Sequence, residues 1–139
     1  MAVEKHSIEL KAKGFADIVD VTDKVQRAVS KAKIETGLAC VFVSGSTGAV
    51  TTIECEAALI QDMKEAFERL VSEHVQYLHD LTWGDGNGFS HVRAALVGPS
   101  LTVPVSGGKL QLGTWQQIVF IDFDNRPRSR RLSVTVVGE

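Results

Sequence analysis

The stretch "VSGSTGAVTTIECE", Val43 to Glu56, combines small residues with five hydroxyl side chains and ends on two carboxylates. Backbone N–H groups next to a helix start, with Ser46, Thr47, Thr51 and Thr52 as further donors, form the kind of cradle that holds a phosphate. A hairpin turn with polar tips is the competing explanation. No Gly-Lys-Ser/Thr follows, so this is not a Walker loop, and "GSTG" lacks the G-x-S-x-G spacing of a nucleophile elbow. Read as a strand, "SHVRAALV" alternates His91, Arg93 and Ala95 onto one face. An imidazole beside a guanidinium suits acid–base chemistry together with phosphate binding, and a purely structural histidine is the alternative. "DNRPRSRR" gathers Arg126, Arg128, Arg130 and Arg131. Three of them, Arg126, Arg128 and Arg130, share a side of an extended chain and could fork onto one anion; a solvated turn is the alternative. Trp83 and Trp115 flank the same region, available to stack on a heterocycle or to fill the core.

Other motifs lead nowhere chemically. "DGNG" begins like a calcium loop, but Ser90 and Leu96 stand where an EF-hand needs glycine and glutamate, so a glycine-rich hairpin turn is expected there. His74 and His79 are five positions apart, about 140° around a helix, and cannot chelate one ion from a single face.

These residues need a scaffold, and 139 residues suffice for one domain, 1–139, with a core that requires no disulfide or metal. A net charge of -2 gives no overall attraction to nucleic acid or to acidic membranes. No apolar run reaches the roughly twenty residues of a membrane helix, and "MAVEKHSIEL" lacks a signal-peptide pattern. Cys40, in "LACVFV", and Cys55, beside glutamates, read as unpaired thiols, so a cytoplasmic location is expected.

Periodicity supplies the elements. "VEKHSIELKA" is a modest strand. Val21, Val25, Ala28, Val29 and Ala32 recur at helical spacing, with Thr22 as N-cap and Gly37 as stop. "LACVFVS" reads as a buried strand, and Ala57 to His79 as one long amphipathic helix. "HVRAALVG", "LTVPV", "KLQLG", "TWQQIVFIDF" and "RLSVTVVG" follow as strands. The expected class is α+β: a large, mainly antiparallel sheet with two helices packed on one face.

Taken together, "GSTGAVTTIECE", "YLHDLTWGDGNGFSHVRAALVGPSLTVPV" and "GKLQLGTWQQIVFIDFDNRPRSR" resemble the YjbQ family, also called the secondary thiamine-phosphate synthase family, over nearly the whole chain. The resemblance implies an α+β fold, a homotrimer with sites near subunit boundaries, and weak thiamine-phosphate synthesis. That reaction joins a pyrimidine pyrophosphate to a thiazole phosphate and releases pyrophosphate. Position by position, it singles out the opening loop, Glu54, His79, Asn87, His91 and the "GTWQ" block, with Asn87, Trp115 and Gln116 as substrate contacts. His91 and Arg93 on one strand face and Glu54 at the end of the small-residue loop are expected to converge with His79 on one pocket, with His79, His91 and Glu54 as catalytic groups; the resemblance adds His79 and His91 with Asp85 or Glu54 as metal ligands. Family members commonly carry histidine where this chain has Gly45 and Phe89. Magnesium is the expected helper for a departing pyrophosphate. The rival expectation is a non-catalytic nucleotide- or RNA-binding protein, which rests on the arginine cluster alone and lacks the aromatic strand motifs of RNA modules.

Overall fold

Strand β1 (Ala2–Ala12) buries Ile8, Leu10 and Ala12 and leaves Ser7, Glu9 and Lys11 in solvent, the alternation of a half-covered strand. The computed structural model, which describes residues 1–139, pairs β1 antiparallel with β8 (Arg128–Gly138). Strand β8 alternates in the same way, with Leu132, Val134 and Val136 inside. β3 (Thr36–Val43), β5 (Ser100–Ser106) and the short β6 (Lys109–Leu110) complete a five-stranded antiparallel sheet in the order β1-β8-β3-β5-β6. A second sheet runs β2 (Asp17–Asp20), β7 (Gln117–Asp122), β4 (Gly48–Ile53), also antiparallel.

The α+β class and the antiparallel pairing match the sequence expectation; the layering differs. β7 is apolar on both faces. Ile118 and Phe120 join the main core with the five-stranded sheet and helix α1 (Thr22–Ala32), whereas Val119 and Ile121 join a second core under helices α2 (Ala57–Leu70) and α4 (Gly88–Val97). A strand apolar on both sides needs a layer on each side. The small sheet is therefore the middle layer, and α1 and α2 lie on opposite sides of it rather than on one face.

Helix boundaries also shift. Thr22 is the first helical residue rather than the N-cap; its hydroxyl donates to Asp20 Oδ1 at 2.7 Å and accepts from Ile118 N at 2.9 Å. α1 ends before a left-handed Lys33, and Gly37 lies inside β3. The expected Ala57–His79 helix is broken after Leu70. Glu68 turns its carboxylate onto the Ser72 hydroxyl and the Glu73 N–H, the Tyr77 hydroxyl donates to the Ser72 carbonyl, and Arg93 Nε donates to the Val71 carbonyl. A short helix α3 (Leu78–Trp83) then starts afresh.

"HVRAALVG" is helix α4, not a strand. Its buried residues Phe89, Ser90, Arg93 and Ala94 fall at helical spacing. The "GDGNG" segment joins two helices instead of closing a hairpin, with Gly84 and Gly86 at φ of 66° and 65°. The opening loop shrinks to Ser44–Thr47, because Thr51 and Thr52 belong to β4. Both tryptophans are exposed.

At the turn where the chain leaves the large sheet for the small one, three segments share a buried ion network. Asp122 and Asp124 have fully buried side chains. Arg130 grips Asp122 with two bonds, Nε to Oδ2 at 2.7 Å and Nη2 to Oδ1 at 2.9 Å. Thr47 accepts from Arg130 Nη2 and donates to Asp124 Oδ2, which also receives Arg128 Nε at 2.8 Å. Burial pushes the Asp124 carboxyl up, but hydrogen bonds from Thr47 and Asn87 and the Arg128 charge outweigh it and hold it below the usual carboxylate range.

Two consequences can be measured. Phe120 is wholly buried between the layers, so Phe120→Ala should cost about 3–5 kcal/mol in chemical denaturation. A carboxyl depressed in the folded state contributes stability that is present above its unfolded value, about 3.9, and is lost as pH falls through the lower folded value. Stability should therefore drop below about pH 4, and less steeply in Asp124→Asn, when unfolding free energy is followed across pH.

Candidate functional site

Helices α3 and α4 meet at close quarters because position 88 has no side chain. A Cβ on Gly88 would come within 2.4 Å of Tyr77 Cβ, and its N–H donates to Asp80 Oδ1 at 2.8 Å. This packing sets the imidazoles of His79 on α3 and His91 on α4 with ring centroids 4.4 Å apart and planes tilted by 46°. Asp85, on the linker between the helices, completes the group: one potential ligand atom from each of His79, Asp85 and His91 lies within 4.8 Å of the others. His79 Nδ1 is 3.5 Å from Asp85 Oδ1 and 3.6 Å from Asp80 Oδ1. It is sealed from solvent and has no hydrogen-bond partner, a condition that native structures seldom tolerate without a purpose.

Two imidazoles and a carboxylate form a donor set for a zinc-like divalent ion. Tetrahedral bonds of about 2.0–2.1 Å would set the donors about 3.3 Å apart, so the group has to close slightly by side-chain rotation. A second group, Glu68, Glu73 and His74, is equally tight, but the Arg93 guanidinium already lies 3.0 Å from Glu68 and 3.7 Å from Glu73. One cation thus already serves both of its carboxylates.

The linker is held from behind. Asn87 is buried; its Oδ1 accepts from Asn125 N at 3.1 Å, and the Ser90 hydroxyl lies 2.5 Å from both that oxygen and the Phe123 carbonyl. Asn125 Nδ2 donates to the Asp85 carbonyl at 2.7 Å. Asn87 therefore acts from below as a clamp for the segment that carries Asp85, where the resemblance implies substrate contact. In front, a hollow of about 280 Å³ is lined by Gly45, Ser46, Gly48, His91, Ala94, Ala95 and Pro99. The turn after β3 and the α4 histidine thus share one depression. Larger hollows exist elsewhere, but none of those at β1, α1 or β8 is lined by His79 or His91.

Several expected members lie outside this group. His91 and Arg93 are two residues apart on a helix, about 200° around its axis, so they do not share a face. Arg93 is 2% exposed, its guanidinium committed to Val71, Glu68 and Glu73 and stacked 5.0 Å over Phe89, so it is not placed to meet a phosphate. Glu54 is exposed beyond the far end of β4, roughly 20 Å along the strand from Gly48. It does not share a pocket with His79 and His91 in one chain. Gln116 and Trp115 belong to that far end: Gln116 Nε2 donates to Thr52 Oγ1 at 3.2 Å, and Trp115 is 73% exposed. Thr51 and Thr52 are half-buried in β4, and Thr47 is consumed by the ion network. Among the loop hydroxyls expected to bind phosphate, Ser46 alone lines the hollow.

The arginine cluster divides as well. Arg128 and Arg130 are paired with Asp124 and Asp122, Arg131 with Glu9 at 2.7 Å, and Arg126 alone is exposed without an ion pair. Phe89 is buried against Phe15 and Arg93, facing away from the histidine pair, whereas Gly45 opens the hollow beside His91. Asp80, Ser90, Asp122 and Asp124 were not singled out by the sequence. The available signal was "FIDFD", two acids set in an apolar strand, which require buried partners.

Comparison with known proteins agrees with this architecture. The family described as UPF0047 protein YjbQ-like matches residues 6–139. A UPF0047 protein of Archaeoglobus fulgidus is 41% identical over 127 residues, covering 91% of this chain and 96% of that protein. One from Methanothermobacter thermautotrophicus is 36% identical over 139 residues, covering 100% of this chain and 95% of its own. The crystal structure of a hypothetical protein from Aeropyrum pernix K1 superposes with a TM-score of 0.91 at 34% identity, covering 98% of this chain and 99% of that one. A YbjQ-like protein of unknown function from Sulfolobus solfataricus P2 gives 0.90 at 28% identity, covering 99% and 100%. With its sheets, its helices and nearly its whole length matched, the chain belongs to the UPF0047 YjbQ-like family.

Proposed function

We propose that the protein is a cytoplasmic small-molecule enzyme acting on a phosphorylated substrate, with the chemistry centred on His79, Asp85 and His91. The observation that carries this reading is the sealed Nδ1 of His79, without a hydrogen-bond partner, beside a carboxylate and a second imidazole, His91, which with Ser46 lines the hollow. Such a group either holds a divalent ion or moves a proton, and the turn at 45–48 offers small residues and a hydroxyl to an anionic group. The reaction that the YjbQ resemblance suggests is formation of thiamine phosphate. There the thiazole nitrogen bonds to the pyrimidine's methylene carbon while the carbon–oxygen bond to pyrophosphate breaks, and catalysis consists mostly of stabilising the departing charge. Magnesium would enter bound to the pyrophosphate, while the imidazole donors suit a zinc-like ion held by the chain itself.

Against the nucleotide- or RNA-binding alternative, Arg128, Arg130 and Arg131 are paired, which leaves Arg126 as the one arginine of that cluster without an ion pair. Assembly as a homotrimer belongs to the same proposal. In its favour are exposed Leu78, Leu81, Trp83 and Leu96 on the helices that carry the site, and the projecting Trp115 at the other end of the small sheet.

His91→Ala should lower turnover of the two phosphorylated precursors at least about 100-fold, while its unfolding free energy stays within about 0.5–1 kcal/mol of the parent, the range of a half-exposed polar substitution. Calorimetric zinc titration should give one site per chain that is lost in His79→Ala. Zinc binding without product formation would keep the site and remove the reaction; RNA binding at micromolar concentration with no product would favour the alternative. Light scattering at micromolar concentration should return three times the chain mass, and a monomer would contradict the trimer.

A further inference from the structure

On the other side of the small sheet from the histidines, α1 presents a basic face whose side chains enter no ion pair, although Asp23 lies in its first turn. Lys24, Arg27 and Lys31 stand three and four residues apart, within about 60° of one another around the helix. All three are exposed, and none enters an ion pair or a side-chain hydrogen bond. Like charges at these spacings destabilise a helix, a cost that a merely solvated face would avoid by alternating signs. Opposite them runs β1, an edge strand whose second side pairs with no other strand.

Between the two lies a groove of about 340 Å³ lined by His6, Ser7, Ile8, Glu9, Lys24, Arg27, Ala28 and Lys31. Its single carboxylate, Glu9, is engaged by Arg131 at 2.7 Å. His6 takes the inward parity of β1, two residues before Ile8, and its Nε2 is buried without a hydrogen-bond partner. The groove therefore combines three unneutralised cations, an unspent imidazole nitrogen and a free strand edge.

We propose that this groove binds a linear polyphosphate. The cations span about 10 Å along the helix, more than one phosphate group needs and enough for two or three linked ones. Its one ring is the half-buried His6 imidazole, and no phenylalanine, tyrosine or tryptophan lines it, so it lacks a broad platform on which a nucleobase could stack. It holds no cluster of imidazoles and carboxylates for a metal. Recognition is of the phosphate chain, whether inorganic or the tail of a nucleoside triphosphate. The site is independent of the histidine site and stands or falls separately from it.

Calorimetric titration with inorganic tripolyphosphate, adenosine triphosphate and orthophosphate, at low and physiological salt, tests the assignment. Both triphosphates should bind, orthophosphate much more weakly, and affinity should fall with salt. Equal affinity of the two triphosphates would assign the site to the chain of phosphates alone, and tighter binding of the nucleotide to a tail with an added contact outside the groove. Arg27→Gln should weaken tripolyphosphate at least about tenfold. Lys24→Gln and Lys31→Gln should each weaken it severalfold, with unchanged thermal unfolding because all three side chains are exposed. His91→Ala and Lys109→Gln, which lie outside the groove, should leave it unchanged. The proposal is overturned by absence of binding at millimolar ligand, by equal weakening in Lys109→Gln, or by a single-stranded RNA oligonucleotide outcompeting tripolyphosphate.

Discussion

The structure depends on two aspartates that water cannot reach. Asp122 ends β7 opposite Gly48, and Asp124 follows two residues later, its N–H donating to Asp122 Oδ1 at 3.0 Å. Both charges would be prohibitively expensive if left alone in an apolar interior. Arg130 and Arg128, at the start of strand β8, reach across from the large sheet to compensate them, and Thr47 completes the contact from the turn between β3 and β4. Such a network adds little net stability over an apolar core, but removing one member leaves a stranded charge. Its effect here is positional: it admits a single arrangement of the corner where the two sheets exchange the chain.

Everything in the candidate site hangs from that corner. On either side of Asp124, the Phe123 carbonyl accepts from the Ser90 hydroxyl and the Asn125 N–H donates to Asn87 Oδ1, both at the start of α4. Asn125 in turn holds the Asp85 carbonyl. The Ser46 turn is the residue before Thr47. The ligand-bearing linker and the loop facing it are thus each fixed within one or two hydrogen bonds of the same ion network, so a shallow surface site can hold its groups at constant separation. The arginines consumed in this way, Arg128 and Arg130, are among those that look most like an anion site in the sequence.

The strands with clean alternation, β1 and β8, and the amphipathic α1 were legible because local period and burial agree. β7 was legible as a strand, and its unbroken apolar run also carried the third layer, since a strand with no polar face has two sides to cover. "SHVRAALV" misled because a short apolar run fits both periods; what decided it was the contact of Ser90 and Arg93 with distant residues, Phe123 and Glu68. His79, Asp85 and His91 could be named from family resemblance, but their convergence depends on a helix break at Leu70 and a close approach at Gly88, neither of which has a periodic signature. Glu54 was misplaced for a related reason: what reads as one long loop is a short turn followed by a strand that carries Glu54 away from it.

The most direct test is a double-mutant cycle on the Asp122–Arg130 pair, using Asp122→Asn, Arg130→Met and the two combined, with unfolding free energy as the readout. Arg130→Met alone should cost about 3–5 kcal/mol, because it strands a buried carboxylate. The double variant should lose clearly less than the sum of the two single changes, giving a coupling well above the roughly 0.5 kcal/mol that independent sites show. Additive effects within that margin would mean that the two groups do not depend on each other, and that the corner is held by something other than this network.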